Sequence, residues 1–167
     1  MSKIQLKNVR LSFPSVFRRE TFDGNEGKFA ATLLIPKDDK KQLDKLNALI
    51  DAAVKESGIK VPKDKYCLKD GDDIEYAGYE GMWSFKGSSN TRPTVIDRDK
   101  SPIAEDDNVI YAGCYVNAVV GVWVQNNQYG KRVNGNLYGI QFVKDGEAFG
   151  SGNMDVTDEF DDIEDEL

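Results

Sequence analysis

The chain has no histidine. That removes every Ser-His-Asp or Cys-His arrangement and the usual general base near neutral pH. It has two cysteines, Cys67 and Cys114, far apart in sequence. Two thiols without an imidazole cannot assemble a four-ligand zinc site. No Gly-x-x-x-x-Gly-Lys-[Ser/Thr] phosphate loop occurs. The longest apolar stretch, Ala118–Val124, is far too short to cross a bilayer. The opening Met1-Ser2-Lys3-Ile4 starts no apolar signal segment. These absences lead us to expect a protein of a reducing cytoplasm, with no membrane, no cofactor, no metal and no enzymatic activity. Paired carboxylates stay open as a catalytic device. The cluster Asp70-Gly71-Asp72-Asp73-Ile74-Glu75 reads as a turn of solvated acids, because its spacing does not fit a calcium loop. A magnesium-dependent nuclease using Asp70, Asp72 and Asp73 is the remaining catalytic reading.

What is present is unevenly spread. The formal net charge is −7, from 29 carboxylates against 22 lysines and arginines. Eight of those carboxylates lie in residues 155–167, which hold no lysine or arginine. Without that segment 21 acids face 22 cations, so residues 1–154 carry about +1. The chain divides into a near-neutral body at 1–154 and an acidic tail at 155–167, expected to be disordered. A terminal block of one charge sign is usually a solvated interaction tail. Val156, Phe160, Ile163 and Leu167 recur at intervals of four, three and four, which would place them on one stripe of a helix formed on a partner.

In the body, apolar residues alternate over 4–13 with a change of phase near Lys7-Asn8, as in a strand with a bulge ended by Pro14. A loop over 14–27 contains Phe17, Arg18 and Arg19. A second strand runs over 28–35. A helix capped by Asp38 or Asp39 follows to Ser57, with Leu43, Leu46, Ile50 and Val54 at helical spacing and Gly58 after it. Residues 59–81 are irregular. Strands are expected over 82–88, 109–125 and 137–144, with an extended stretch at 92–97 and a polar loop at 126–136. The body is about five strands with one helix inserted after the second.

The strand over 109–125 carries most information. Its even positions, from Ile110 through Cys114, Val116, Ala118, Val120 and Val122 to Val124, are apolar and mostly small, as a barrel core needs. Its odd positions include Tyr111, Tyr115 and Trp123 spaced by glycines, where a solvated face would carry Lys, Glu and Thr. Trp83 and Phe85 share a face of their own strand, followed by Lys86 and Arg92. Aromatics of this kind can stack unpaired bases, and the cations would hold phosphates. They can equally be core, or an oligomer contact such as a homodimer interface. Two further basic-aromatic clusters are Phe17, Arg18 and Arg19, and Tyr129, Lys131 and Arg132 in the loop after the long strand.

The run Gly78-Tyr79-Glu80-Gly81, Trp83-Ser84-Phe85-Lys86-Gly87-Ser88-Ser89 and Arg92-Pro93 resembles the middle of a family of tailed-phage and prophage single-stranded DNA-binding proteins. So do Ile110–Asn117, the opening Leu11-Ser12-Phe13-Pro14, and Leu34-Ile35-Pro36. The resemblance covers residues 3–150. It implies a mainly β fold, an OB-fold: a five-stranded Greek-key barrel with an inserted helix. It also implies sequence-independent binding of single-stranded DNA in phage replication or recombination. The tail is similar to those of replicative single-stranded DNA-binding proteins, with an aliphatic Leu167 in place of the more familiar terminal aromatic. From it follow two expected roles: competition with DNA for the body, and recruitment of phage or host replication proteins through Phe160, Ile163 and Leu167. The competing reading is a protein-interaction module, or DNA mimic, that engages a host nucleic-acid enzyme through the tail.

Overall fold

A computed structural model describes residues 2–22, 24–149 and 159–163. Nine strands and one α-helix occur among them. In chain order they are β1 (Ile4–Ser15), β2 (Thr21–Phe22), β3 (Asn25–Glu26), β4 (Phe29–Pro36), α1 (Lys40–Ser57), β5 (Leu68–Asp70), β6 (Met82–Ser89), β7 (Thr94–Ile96), β8 (Tyr115–Asn127) and β9 (Gly130–Lys144).

Five strands close a ring. β1 pairs antiparallel with β4 and β8, β4 with β6, and β8 with β9. A short parallel pairing of β6 with β9, at Gly87–Gly135 and Ser88–Asn136, completes it. This is the five-stranded Greek-key barrel of the OB-fold. β5 adds to the edge of β6, and β7 to the edge of β9. Alternation along each strand fills the interior: Leu6, Val9 and Leu11 from β1, Leu33 and Ile35 from β4, Val116, Ala118, Val120 and Val122 from β8, Leu137 and Ile140 from β9. Gly135 leaves room for Phe85, because a Cβ there would lie 2.7 Å from the ring.

The bulge expected near Lys7-Asn8 is present, with the register against β8 shifting between Leu6 and Val9 and Asn8 at φ +54°. Its freed backbone groups find partners. Gln42 of α1 accepts from Lys7 N and donates to Lys7 O, and Asn117 accepts from Asn8 N. The helix is capped by Asp39, whose carboxylate accepts from Gln42 N, and ends at Gly58 with φ +68°. Leu43, Leu46 and Ile50 bury one face against the barrel. Among the described residues no helix is long and apolar enough to span a membrane.

Three expectations need correction. The long strand begins at Tyr115, not at 109. Gly113 has φ +111°, and a Cβ there would lie 2.2 Å from the Glu147 carbonyl oxygen, so the chain turns against the segment after β9. Residues 126–136 are not a polar loop. β8 and β9 stay paired out to Asn127–Gly130, and only residues 128–129 form the turn. β1 does not stop at Pro14 but reaches Ser15 through a second irregularity, between Ser12 and Ser15.

Candidate nucleic-acid interface

A groove of about 1020 Å³ crosses the outer face of β1, β4 and β6. Ser12 and Phe13 come from β1, Thr32 from β4, and Ser84, Lys86 and Ser88 from β6. One wall is the segment 65–79. It is tied to the barrel where Cys67 N donates to Val133 O (2.9 Å) and Lys86 N donates to Cys67 O (3.2 Å). Arg132 and Asn134 of β9 line the groove on either side of Val133, next to this wall. The charged side chains lining the groove are Lys65, Lys69, Lys86, Arg132 and one acid, Glu20, which sits 3.6 Å from the Lys86 ammonium. Four cations against one carboxylate make a surface suited to a polyanion. Between them lie aromatic rings rather than more charge. Phe13 and Tyr76 are 55% and 58% exposed.

The floor is built by Tyr79. Its ring is almost wholly buried over β1 and β4, and its hydroxyl shares a hydrogen bond with Ser12 Oγ (2.8 Å). Burial pushes the Tyr79 phenol upward, so it stays protonated. At the far end Phe149 lines the groove. It packs where Gly78, at φ +87°, leaves space, and beneath the Arg10 guanidinium at 4.1 Å. Arg10 also donates to the carbonyls of Gly113 and Glu147.

The residues anticipated from sequence are distributed unevenly. Lys86 and Arg132 line the groove. Trp123, 37% exposed, is the register partner of groove-lining Asn134. Tyr129, 75% exposed, and Lys131 stand at the β8–β9 tip. Phe17, Arg18, Arg19 and Arg92 gather by the β1–β4 connection. Arg92 lies over the Phe17 ring at 5.7 Å, and Arg18 pairs with Glu105 at 2.9 Å. Arg19 donates to the carbonyls of Gly27 and Asn90 and covers Phe29. Tyr115 lies outside the groove, with Lys144 4.9 Å from its ring centroid.

Three candidates pack in or against the core, Phe85 fully buried and Trp83 and Tyr111 partly so. Phe85 is fully buried inside the barrel, its ring held by Gly135. Trp83 shares that inward phase and packs on the core at the barrel's end, with Lys37 5.7 Å from its ring. Tyr111 precedes the strand and packs on the core; its hydroxyl donates to Asp145 (2.8 Å) and accepts from Gly146 N (3.0 Å). The acidic cluster is also committed elsewhere. Asp70 and Asp72 both pair with Lys37, at 2.6 and 2.5 Å, and hydrogen bonding to that ammonium holds both carboxyls below their ordinary range. No trio of metal-ligating side chains occurs among the described residues. In the tail, Phe160 and Ile163 are exposed, while Val156 and Leu167 lie outside the described residues.

Sequence reasoning missed Phe13, Tyr76, Lys65, Lys69 and Phe149. Phe13 continues the inward phase of Val9 and Leu11, and only its φ of +46° turns it outward. Tyr76, Lys65 and Lys69 lie in a stretch with no periodicity to place them.

A family model described as Enterobacter phage Enc34, ssDNA-binding protein, matches residues 2–167. The chain belongs to this family. It is 38% identical over 173 residues to a protein of Acyrthosiphon pisum secondary endosymbiont phage 1, covering 96% of this chain and 94% of that one. The single-stranded DNA-binding protein of bacteriophage Enc34 in complex with single-stranded DNA superposes with a TM-score of 0.81 at 34% identity, covering 89% of each chain. A C-terminal truncation of the Enc34 protein gives 0.79, also at 34% identity and covering 88% of each. The family's description names binding and no reaction.

Proposed function

We propose that this chain binds single-stranded DNA without sequence preference, in the groove across β1, β4 and β6, during phage DNA replication or recombination in the host cytoplasm. The observation that carries this reading is the groove itself: four cations and exposed aromatic rings on the β4–β6 face of an OB barrel. That face, with the loops at its ends, is where OB-folds take oligonucleotides. Lysines and arginine meet the phosphates, and rings meet the bases. Trp123, Tyr129, Lys131 and Arg132 would extend the path along the β8–β9 hairpin. Phe17, Arg18, Arg19 and Arg92 would extend it at the other connection. A similar chain of 34% identity is described in complex with single-stranded DNA, which supports the reading.

Residues 1–154 would form the binding domain and 155–167 a competing tail. Connectivity supports competition. Phe149 lines the groove, and Asp155 is six residues further on, within about 20 Å of fully extended chain. Eight carboxylates can thus reach the groove cations as a phosphate mimic. Once displaced by DNA, the tail would be free to recruit a replication protein, with Phe160, Ile163 and Leu167 as apolar contacts.

A gel shift of single-stranded against duplex DNA, across salt, tests the function. No shift of a dT oligomer at low salt would end this reading. Sedimentation tests the alternative suggested by exposed Phe160 and Ile163, an interaction module that presents the tail: such a module gains no mass on oligo-dT. The same runs report whether the body self-associates as a homodimer.

A further inference from the structure

We propose that a hollow on the outer face of β1, β7, β8 and β9 receives segment 160–163 of a second copy of this chain, so that copies join head to tail along a bound strand. The hollow shares no lining residue with the DNA groove. This rests on the reading of the groove as a single-stranded DNA site, since DNA is what displaces the tail.

The hollow has a volume of about 360 Å³. It forms because Gly139 has no side chain to fill the space between its register partners, Val119 of β8 and Thr94 of β7. Val119, Ile96 and Tyr138 stand around that gap. Tyr138 lies across Gly121, where a Cβ would be 3.1 Å from its ring. Val119 is 36% exposed midway along β8, where a β-branched residue is normally covered by its neighbours. Among the described residues no charged side chain lines the hollow, and its amides Asn117 and Gln141 bond to each other at 3.3 Å. An uncharged, apolar gap in a sheet face fits an apolar side chain and not a phosphate.

The tail supplies such side chains. Phe160 and Ile163 are 77% and 92% exposed, and Glu159, Asp161, Asp162 and Glu164 flank them. Cations stand beside the hollow to meet these acids. The Lys3 ammonium lies 4.3 Å from the Tyr138 ring centroid, and the Lys45 ammonium donates to Gln5 O at 2.9 Å. Neither forms an ion pair among the described residues. The opposite rim, Asp97-Arg98-Asp99-Lys100, has no net charge. Chain length sets the reach. Phe149 is held at the groove, its N–H donating to Ala112 O at 3.1 Å, and Phe160 lies eleven residues further on. Eleven residues span about 36–40 Å when fully extended. A body of this size has a radius of gyration of about 15 Å, so the segment reaches a neighbour on the same strand. In its own chain the segment is exposed rather than seated, which leaves the hollow to another copy. Tail and hollow are different surfaces, so the contact repeats without closing, as coating a strand requires. Binding to one strand raises the effective concentration of each neighbour.

The test uses the full chain with two dT oligomers, the shortest that holds one copy and one several times longer, and counts bound copies by native mass spectrometry. On the long strand the parent should load its second copy about 10- to 100-fold more tightly than its first, as burial of one or two apolar side chains allows. Val119→Asp sets a carboxylate in the hollow. The double variant Phe160→Ala/Ile163→Ala keeps all eight tail carboxylates. Each should load copies independently. Mixed in equal amounts, the two variants should regain tight loading of one pair and no more, because one supplies the tail and the other the hollow. On the short oligomer Val119→Asp should match the parent within about twofold, which also shows that it is folded. The proposal is overturned if the parent loads copies independently, or if either variant loads as the parent does. It is also overturned if the mixture regains nothing, as when each tail docks on its own body. If the parent does not bind the short oligomer, it is the groove reading that has failed, which distinguishes the two.

Discussion

The salt dependence of DNA binding can be worked out from the groove before any measurement. Each phosphate neutralised on a single strand contributes a slope of about −0.7 to log K against log salt. Lys65, Lys69, Lys86 and Arg132 line the groove, and Lys86 is partly offset by Glu20 at 3.6 Å. Three to four effective cations give a slope of about −2.1 to −2.8, so raising salt from 50 to 200 mM should weaken binding about 20- to 50-fold. Lys69→Ala should make the slope shallower by about 0.7. The tail adds a second, separable effect. Its eight carboxylates would bind the same cations, and salt loosens that contact as well. In the full chain the two losses partly cancel, so the observed slope is shallower than in a chain lacking 155–167. That deletion should therefore bind more tightly at low salt, with a steeper slope, and the two chains should converge as salt rises. Fluorescence titration with a dT oligomer at four or five salt concentrations measures all of this. A slope near zero, or one untouched by Lys69→Ala, would refute the assignment of phosphate contacts to this groove. Unchanged or weaker dT affinity after the deletion would refute competition by the tail.

Phe85→Ala should lower stability by about 3–5 kcal/mol in urea unfolding, as for a large ring removed from a packed core, because Phe85 is fully buried. Any loss of DNA binding should track the unfolded fraction. Tryptophan quenching by oligo-dT should survive Trp83→Phe and disappear in Trp123→Phe, since Trp83 packs on the core and Trp123 is exposed beside the groove-lining residue Asn134. Burial pushes the Cys67 thiol up to about 12. An unfolded thiol titrates near about 8.5, so folding favours the neutral form. This contribution is complete below about pH 8.5 and is lost as pH rises toward 12. Thermal melting between pH 8 and 11 should therefore fall less steeply in Cys67→Ala than in the parent.

Why the ring of strands was legible in the sequence, and the binding face much less so, comes down to what alternation records. A period of two reports which residues share a face, and the even positions from Cys114 to Val122 are indeed the barrel interior. It cannot report which face is inside when both carry aromatics. Trp83 and Phe85 share one face of β6, and it is the inward one. It also fails wherever the backbone leaves the strand conformation. Gly113 turns the chain before Tyr115, which removes Tyr111 from the face that alternation assigned to it. The same failure hides Phe13, whose phase says core and whose positive φ says groove. Tyr76 is hidden differently, in an insertion whose path is set by ties to Val133, Lys86 and Ser12 rather than by its own pattern. Lys65 and Lys69 come into register with Arg132 and Lys86 only through those long-range ties. A regular strand pattern therefore marks the scaffold. The side chains that meet the ligand stand where that pattern breaks, because a bulge or an irregular insertion is what frees a ring or a cation from the alternation that builds the core.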